Sequence, residues 1–142
     1  MASVNPYLNF AGNTEAAFLF YKSVFGGEFA MLQRFSETPQ AGNIPAHEQD
    51  KIMHIALRIS PNTVLMATDA LESMGHKVDF GNNISLAITA DNPEEADRLF
   101  NGLSAGGKVD LPMTMMFWGA YFGMLTDAFG VKWMIDCEMP KN

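Results

Sequence analysis

The feature that most constrains the fold of this chain is a motif that occurs twice. The stretch NTEAAFLFYKSVFGGEF, residues 13–29, is echoed by NPEEADRLFNGLSAGGKV, residues 92–109. In each copy an asparagine precedes a helical pattern of apolar residues and a pair of glycines follows it, which predicts a capped helix that ends at the glycines. Two copies of one unit predict two modules that pack against each other, with a shared surface and a site between them.

The first module is predicted to have the order βαβββ. A strand over 4–10 comes before the helix of residues 14–25, and strands over 28–36, 52–59 and 63–68 come after it. The apolar face of this helix is predicted to comprise Ala17, Phe20, Tyr21, Val24 and Phe25.

The same order returns after a connector over residues 69–83, which is rich in Gly, Asp and Asn. A strand over 84–89 leads to Asn92, Pro93 and Glu95, which together form a strong helix start. The helix is predicted to bury Ala96, Leu99, Phe100 and Leu103, and its later strands cover 108–112, 121–126 and 131–137. The chain is therefore predicted to be a single α+β domain made of two modules, residues 1–68 and 84–142.

Composition excludes several classes of function. With 142 residues and a formal charge of −7, the chain suits one domain with a real core and has no basic patch for nucleic acid. It has no apolar run long enough to span a membrane, and MASVNPYLNF lacks the features of a signal peptide. The single cysteine, Cys137, excludes an internal disulfide and a zinc site built mainly from thiolates. We therefore expect a cytoplasmic protein that contacts neither nucleic acid nor membranes.

The stretch IMHIALRI contains the first candidate site residues. Its alternation puts Ile55 and Leu57 on one face, which belongs under the helix, and His54 and Arg58 on the other, which faces the predicted cavity. There His54 is a candidate base or hydrogen-bonding group, although a histidine bonded within a core or an interface fits the same pattern. Arg58 is suited to an anionic ligand and equally to an acidic side chain of this protein.

Further candidates lie in the second module. Ser85, with the other small residues on its strand face, leaves room for a cavity or for close packing of two sheets. Phe117 and Trp118 precede Gly119 in a loop, which favours a platform for a ligand or an anchor for a partner. The chain has 11 methionines, which suit an adaptable apolar rim as well as gap filling in a core.

Five stretches occur in an order typical of one superfamily: PYLNFAGNTEAAFLFYKSVFGGE, KIMHIAL, LMATDA, DNPEEADRLF and FWGAYFGMLTDAFGVKWMI. They cover nearly the whole chain and resemble the glyoxalase/bleomycin resistance/dioxygenase superfamily, also called vicinal oxygen chelate, and within it the PhnB-like group. The resemblance implies two tandem βαβββ modules that form a curved mixed sheet around a central pocket, commonly in a homodimer.

Enzymes of this superfamily typically hold a divalent metal with His, Gln or Glu at four strand positions. The resemblance assigns those positions to Pro6, Met66, Ser85 and Met134. A proline, two thioethers and a hydroxyl do not supply the imidazole and carboxylate donors that such an ion needs. We therefore expect no metal and no cofactor, and this residue set speaks against glyoxalase-type and dioxygenase-type reactions.

The resemblance also brings a name, since the PhnB-like group carries the label demethylubiquinone methyltransferase. Such an enzyme needs a glycine-rich turn from strand to helix to hold its nucleotide-like cofactor, and FAGN and VFGG lack the required spacing.

Three functions stay open at the level of sequence. The first is metal-independent binding of a small hydrophobic or aromatic molecule in an inter-module pocket. That pocket is predicted to contain His54, Arg58, Met66, Ser85, Phe117, Trp118 and Met134. The alternative is a lyase, isomerase or dioxygenase of the superfamily with non-standard metal ligands, in which His54 is the only catalytic candidate. The third is a structural or regulatory dimer with a vestigial pocket.

Overall fold

The structure is a computed structural model of the chain, and it describes residues 1–139. The chain divides into two compact units, the first being Met1–Asp79 and the second beginning at Phe80. The elements of the first unit are β1 (Tyr7–Phe10), α1 (Thr14–Phe25), β2 (Phe29–Arg34), β3 (Ile52–Ser60) and β4 (Thr63–Asp69). Those of the second are β5 (Leu86–Thr89), α2 (Pro93–Ser104), β6 (Lys108–Met115), β7 (Ala120–Thr126) and β8 (Lys132–Glu138).

Each unit contains a four-stranded mixed sheet, and the two sheets have the same topology. Their strand orders are β1-β4-β3-β2 and β5-β8-β7-β6. In both sheets the first strand pairs parallel with the last, while the other pairs are antiparallel. The predicted α+β class and the two βαβββ modules are confirmed.

Helix α1 buries a slightly different face from the one predicted. Its buried residues are Thr14, Ala17, Phe18, Tyr21 and Val24. Phe20 and Phe25 are only half-buried, so their assignment to the core face was wrong. The reason is geometric, since positions 14, 17, 18 and 21 form a continuous stripe at helical spacing and Phe20 lies beside it.

The first turn of α1 is held by a carboxylate from far along the chain. Asn13 occupies the N-cap position, but its side chain makes no capping hydrogen bond, contrary to the prediction. Instead Asp69, which is buried at the end of β4, accepts hydrogen bonds from Thr14 N at 3.0 Å and Thr14 Oγ1 at 2.7 Å. The other oxygen of Asp69 accepts from Ile52 N at 2.8 Å. Asp69 thus ties the helix start and the β3 start to β4.

A bidentate ion pair adds a second tie between α1 and β2. Arg34 Nη1 and Nη2 donate to Glu15 Oε1 and Oε2 at 3.0 and 2.7 Å. The hydrogen bond from Arg34 is the main cause of a lowered pKa of Glu15. Since both side chains are partly exposed, water screens this pair.

Helix α2 begins as its sequence predicts. Asn92 Oδ1 accepts from Glu95 N at 2.8 Å, and Pro93 occupies the first turn. Glu95 Oε1 in turn accepts from Asp91 N at 3.0 Å, which completes a reciprocal cap. The buried residues of α2 are Ala96, Leu99, Phe100 and Leu103, as predicted.

The glycine pair after α2 has a steric role. A Cβ atom on Gly107 would lie 2.8 Å from the carbonyl carbon of Asp127 and would also collide with the carbonyl oxygen of Thr126. Both neighbours are backbone, so they cannot rotate away. Gly107 therefore allows the chain leaving α2 to pass directly against the end of β7.

Strand β6 extends to Met115, beyond the predicted end at residue 112. Pro112 is typical of a strand end, but β6 is an edge strand of its sheet, where a missing N–H is tolerated. The strand therefore continues through the proline.

The turn between β7 and β8 is organised by Asp127, which is 4% exposed. Its Oδ1 accepts from Phe129 N at 2.8 Å and from Val131 N at 3.1 Å. Its Oδ2 accepts from Trp133 Nε1 at 2.8 Å. The turn lies between the strands predicted over 121–126 and 131–137, and the same carboxylate also fixes the indole of Trp133 in the core.

Long loops of the first unit contain short 3₁₀ turns that the sequence reading missed, including Ala46–Glu48 and Glu72–Met74. Phe35, Ile44 and Leu71 form a small apolar cluster beneath these loops, with Met53 packed against it. Neither of the described helices is long and apolar enough to cross a membrane.

Candidate functional site

Each sheet has one face covered by its own helix and one that this helix leaves uncovered. In the first sheet, Ile55 and Leu57 are fully buried, and α1 packs on their strand, β3. The strand pairings put the intervening residues on the opposite face. We call this the first open face, formed by Tyr7, Asn9, His54, Ala56, Met66 and Thr68.

A polar pair occupies the first open face. Tyr7 Oη lies 3.2 Å from His54 Nδ1, and the two rings are tilted with centroids 5.7 Å apart. Burial raises the pKa of Tyr7, against an opposing hydrogen bond with Thr68, so the phenol keeps its proton at neutral pH. Tyr7 Oη and His54 Nδ1 therefore share one hydrogen bond, whose direction depends on the tautomer of the imidazole.

Two other predicted site residues, Met66 and Arg58, lie on strands of the same sheet but in different environments. Met66 is half-buried and pairs with Tyr7 on one side and Ala56 on the other. Arg58 is exposed, and its Nη1 donates to the carbonyl of Pro61 at 3.1 Å, in the turn between β3 and β4. The structure therefore places His54 and Met66 on one surface. The guanidinium group of Arg58 is instead hydrogen-bonded at the turn between β3 and β4.

The corresponding surface of the second sheet is more apolar. We call it the second open face, formed by Ala87, Thr89, Phe122, Met124, Met134 and Asp136. Met134 is half-buried and pairs with Ala87 in β5 and with Met124 in β7. Ser85 lies directly before β5 and is also half-buried.

Aromatic side chains extend the second open face at the turn between β6 and β7. Trp118 and Phe122 have ring centroids 6.1 Å apart, and Phe117 stands edge-on to Trp118 at 5.0 Å. Phe117 is 96% exposed and Trp118 55% exposed. Gly119, with φ +95°, makes the tight turn that holds this aromatic cluster, Phe117, Trp118 and Phe122, at the end of the sheet.

The residues of the open faces that the sequence did not predict include Tyr7, Phe122 and Met124. Tyr7 was passed over because its face depends on the parallel pairing of β1 with β4, which no local pattern shows. Phe122 and Met124 alternate with buried Gly123 and Leu125, so the period of two in AYFGMLT was a usable signal for them.

The side chains do not fit the divalent metal that the fold family implies. Pro6 uses its carbonyl oxygen to accept from Met66 N at 3.0 Å, and the side chains of Met66 and Met134 are thioethers. Within residues 1–139, no three or more His, Cys, Asp or Glu side chains are grouped so as to hold a metal ion. Hard and borderline cations need such oxygen and nitrogen donors.

Comparison with known proteins places the chain among relatives of the same fold. It is 34% identical over 141 residues to Protein YjdN of Escherichia coli strain K12, covering 94% of this chain and 93% of that protein. The crystal structure of protein PA1353 from Pseudomonas aeruginosa is 38% identical, with a TM-score of 0.86 and coverage of 99% and 100%.

Two further structures extend this comparison. The PhnB protein from Bacillus cereus, described as a putative 3-demethylubiquinone-9 3-methyltransferase, is 25% identical with a TM-score of 0.75, covering 96% and 99% of the two chains. A glyoxalase/bleomycin resistance protein from Albidiferax ferrireducens T118 shares the fold at 18% identity and a TM-score of 0.65, covering 95% and 97%. The family model described as 3-demethylubiquinone-9 3-methyltransferase matches residues 2–136. The chain therefore belongs to that family, and it shares the fold of the glyoxalase/bleomycin resistance proteins.

Proposed function

We propose that this protein binds a small hydrophobic or aromatic molecule without a metal, and that its open faces carry the ligand. The aromatic cluster of Phe117, Trp118 and Phe122 is the observation that carries this proposal. Its rings contact one another edge to face at the turn between β6 and β7, and 55% of the Trp118 surface is exposed. Ordered, accessible aromatic surface of this kind is typical of sites that bind planar or apolar groups.

The second open face offers further apolar surface, and the first open face offers a polar pair. Met124 and Met134 supply flexible thioether side chains beside the aromatic cluster on the second sheet. On the first open face, the Tyr7–His54 pair is a polar group suited to a carbonyl or hydroxyl oxygen. The second open face is thus suited to an aromatic or apolar group, and the first to a hydrogen-bonding oxygen.

Methyl transfer, which the family description names, is not part of this proposal. The turn from β1 into α1 has one glycine, Gly12, and no glycine-rich loop of the kind that holds a nucleotide-like cofactor.

Ligand binding can be tested with a thermal-shift screen of aromatic and antibiotic-like compounds. We expect some compounds to raise the melting temperature of the wild-type protein, and this shift should shrink in Trp118→Ala. Leu19→Ala is the matched control, because Leu19 is 54% exposed on α1 and lies outside both open faces. Hits that persist unchanged in Trp118→Ala, or a screen without hits, would count against the proposal and favour a structural dimer with a vestigial pocket.

A second candidate function is metal-dependent catalysis through non-standard ligands, and the Tyr7–His54 pair is the observation that favours it. The bond to Tyr7 holds the imidazole in one orientation, and in the tautomer with its proton on Nδ1 the other nitrogen, Nε2, is the one that could bind an ion or accept a proton. Metal analysis of protein purified without chelator, followed by zinc, nickel, manganese and iron titrations, separates the two functions. Stoichiometric metal whose affinity falls in His54→Gln would overturn metal-free binding and support the metal-dependent function.

The expected homodimer and the cytoplasmic location are also parts of this proposal. Both derive from the family resemblance and from composition. Light scattering coupled to size-exclusion chromatography distinguishes a dimer from a 15.6 kDa monomer directly.

A further inference from the structure

The basic residues of the second sheet lie at one end of it. Within its four strands they are Lys108 in β6 and Lys132 in β8, and both pair with Thr126, the last residue of β7. Asp110 belongs to the same end, where its carboxylate is 3.8 Å from Lys108 Nζ and accepts from Thr126 Oγ1 at 2.8 Å. This end of the sheet therefore carries two ammonium groups and one carboxylate.

The opposite end of the sheet is acidic, and it is the end that carries the aromatic cluster. There Asp136 pairs with Phe122, and Glu138 pairs with Ala120 at the start of β7. Lys132 is four positions from Asp136 along β8, a separation of about 13 Å in a strand. Because this exceeds the Debye length of about 8 Å in physiological salt, Lys132 offsets little of the charge of Asp136.

A neighbouring thiol responds to the same negative charge. Burial is the main cause of a raised pKa of Cys137, and the further causes are the charges of Asp136, Glu94, Asp91 and Glu95. All four of these groups are carboxylates. The end of β8 therefore lies in a region of negative potential.

Asp136 lies beside the aromatic rings on the second open face. Cross-strand partners in an antiparallel pair have Cβ atoms about 4.5 to 5.5 Å apart, which places Asp136 next to Phe122. The ring centroid of Phe122 is in turn 6.1 Å from that of Trp118. On its other side, Asp136 Oδ1 accepts from Thr89 Oγ1 at 3.0 Å. This bond orients the carboxylate, and a carboxylate has about four lone-pair sites, so it can accept further bonds from a ligand.

We propose that the ligand of the second open face is an organic cation, an amine with an aromatic or apolar body. This inference rests on the binding function proposed above and assigns a charge to its ligand. The ammonium group donates to Asp136, and the body of the ligand lies against Phe122 and Trp118. The faces of these two rings also attract a cation. A neutral molecule of the same shape gains the apolar contact alone, and an anion is repelled by Asp136 and Glu138.

Three naphthalene probes of similar shape and different charge test this inference. At pH 7, 2-naphthylmethylamine is a cation, 2-naphthylmethanol is neutral and 2-naphthoate is an anion. Amide NMR titrations of the ¹⁵N-labelled full chain report both the affinity and the place of binding. We expect the amine to give saturable shifts at Gly119, Phe122 and Asp136. Its affinity should exceed that of the alcohol about five-fold or more, and the carboxylate should bind most weakly.

A matched pair of variants isolates the role of the carboxylate. Asp136→Asn keeps the shape of the side chain and should lower the affinity for the amine about three-fold or more, while the affinity for the alcohol stays within about two-fold. Asp110→Asn is the control, because it also removes a carboxylate that accepts from a threonine hydroxyl, but at the other end of the sheet. It should leave the affinity for the amine within about two-fold of wild type.

The outcomes separate this inference from the binding function on which it rests. Equal affinities for the three probes, with binding that weakens in Trp118→Ala, would overturn the inference and leave the proposed function standing. An amine affinity that is unchanged in Asp136→Asn, or that falls equally in Asp110→Asn, would also overturn the inference alone. A lack of saturable binding by any of the probes would count against both. Unshifted resonances far from the substituted residue verify that each variant folds.

Discussion

The buried carboxylate of Asp127 provides the sharpest test of how the last hairpin is held. In Asp127→Asn the side chain keeps its shape, but one oxygen becomes an NH₂ group. If the amide oxygen stays opposite Phe129 N and Val131 N, the NH₂ group faces Trp133 Nε1, which is also a donor. If the amide flips, its NH₂ group faces the two backbone donors instead. Neither orientation satisfies the whole turn.

The magnitude follows from the number of bonds lost. A hydrogen bond to a charged group contributes about 1.5 to 3 kcal/mol, and a buried donor left without an acceptor costs about 1 to 3 kcal/mol. We therefore expect Asp127→Asn to lower the free energy of unfolding by about 2 to 3 kcal/mol. A domain is stable by only about 5 to 15 kcal/mol, so the loss should be plain in urea unfolding.

A double-mutant cycle with Trp133→Phe tests the assigned geometry. Phenylalanine has no indole N–H, so the contact between two donors that Asp127→Asn creates disappears. Asp127→Asn should therefore lower the free energy of unfolding by less in the Trp133→Phe protein than in wild type. We expect the two changes to be non-additive by about 1 kcal/mol or more. Far-UV circular dichroism follows all four proteins without depending on the tryptophan.

Two outcomes would refute this reasoning. The first is an Asp127→Asn protein within about 0.5 kcal/mol of wild type, which is the range of ordinary surface changes. The second is strict additivity in the cycle. Asp50→Asn, the same change of charge at an exposed position, is the control for effects of net charge alone.

Three further predictions concern the backbone, a cap and an ion pair. Gly107→Ala should destabilise the protein by about 2 to 4 kcal/mol because its Cβ meets backbone, whereas Gly42→Ala, which has open space, should stay within about 0.5 kcal/mol in urea unfolding. Asn92→Ala should cost about 1 kcal/mol, whereas Asn13→Ala should cost clearly less because its side chain makes no cap bond, and equal losses in thermal unfolding would contradict this. Arg34 lowers the folded-state pKa of Glu15 below its ordinary value of 4.5. The ion pair therefore stabilises the fold above about pH 4.5, and this stabilisation is lost as the pH falls through the folded-state pKa. Glu15→Gln should therefore lower stability at pH 7 by under about 1 kcal/mol, and the difference from wild type should shrink as the pH falls below 4.5; a difference that stays constant as the pH falls would contradict it.

The sequence predicted the helices best, because their signals are local. The reciprocal cap around Asn92 and the stripe of Ala96, Leu99, Phe100 and Leu103 are contained in 12 consecutive residues or their immediate neighbours. For α1 the same logic chose Asn13 as the cap, although Asp69 holds that helix from the end of β4. A partner so distant in sequence leaves no local pattern, so propensity alone named the wrong residue.

The candidate site residues also divide into those that a local sequence pattern indicates and those that only long-range packing brings together. The period of two in IMHIALRI was enough to put His54 opposite the helix, but its partner Tyr7 depends on which strands pair. The pocket between the turn from β1 into α1 and the loop after β4 could not be predicted from the sequence, because its lining residues His47 and His76 belong to separate irregular loops. Only the packing of those loops brings their side chains to one wall.

The parallel pairing of the first strand with the last strand has a consequence for the order of folding. In the first sheet Tyr7 pairs with Met66, and in the second Thr89 pairs with Asp136, so each sheet is completed by joining chain segments that are made at very different times. On a ribosome, the first sheet cannot be completed until β4 has emerged, but it needs no strand from the second unit. Closing such long loops is entropically costly and slow compared with forming a hairpin. We therefore expect the first sheet to form once β4 has been synthesised, and the second sheet to form only after β8 has been synthesised.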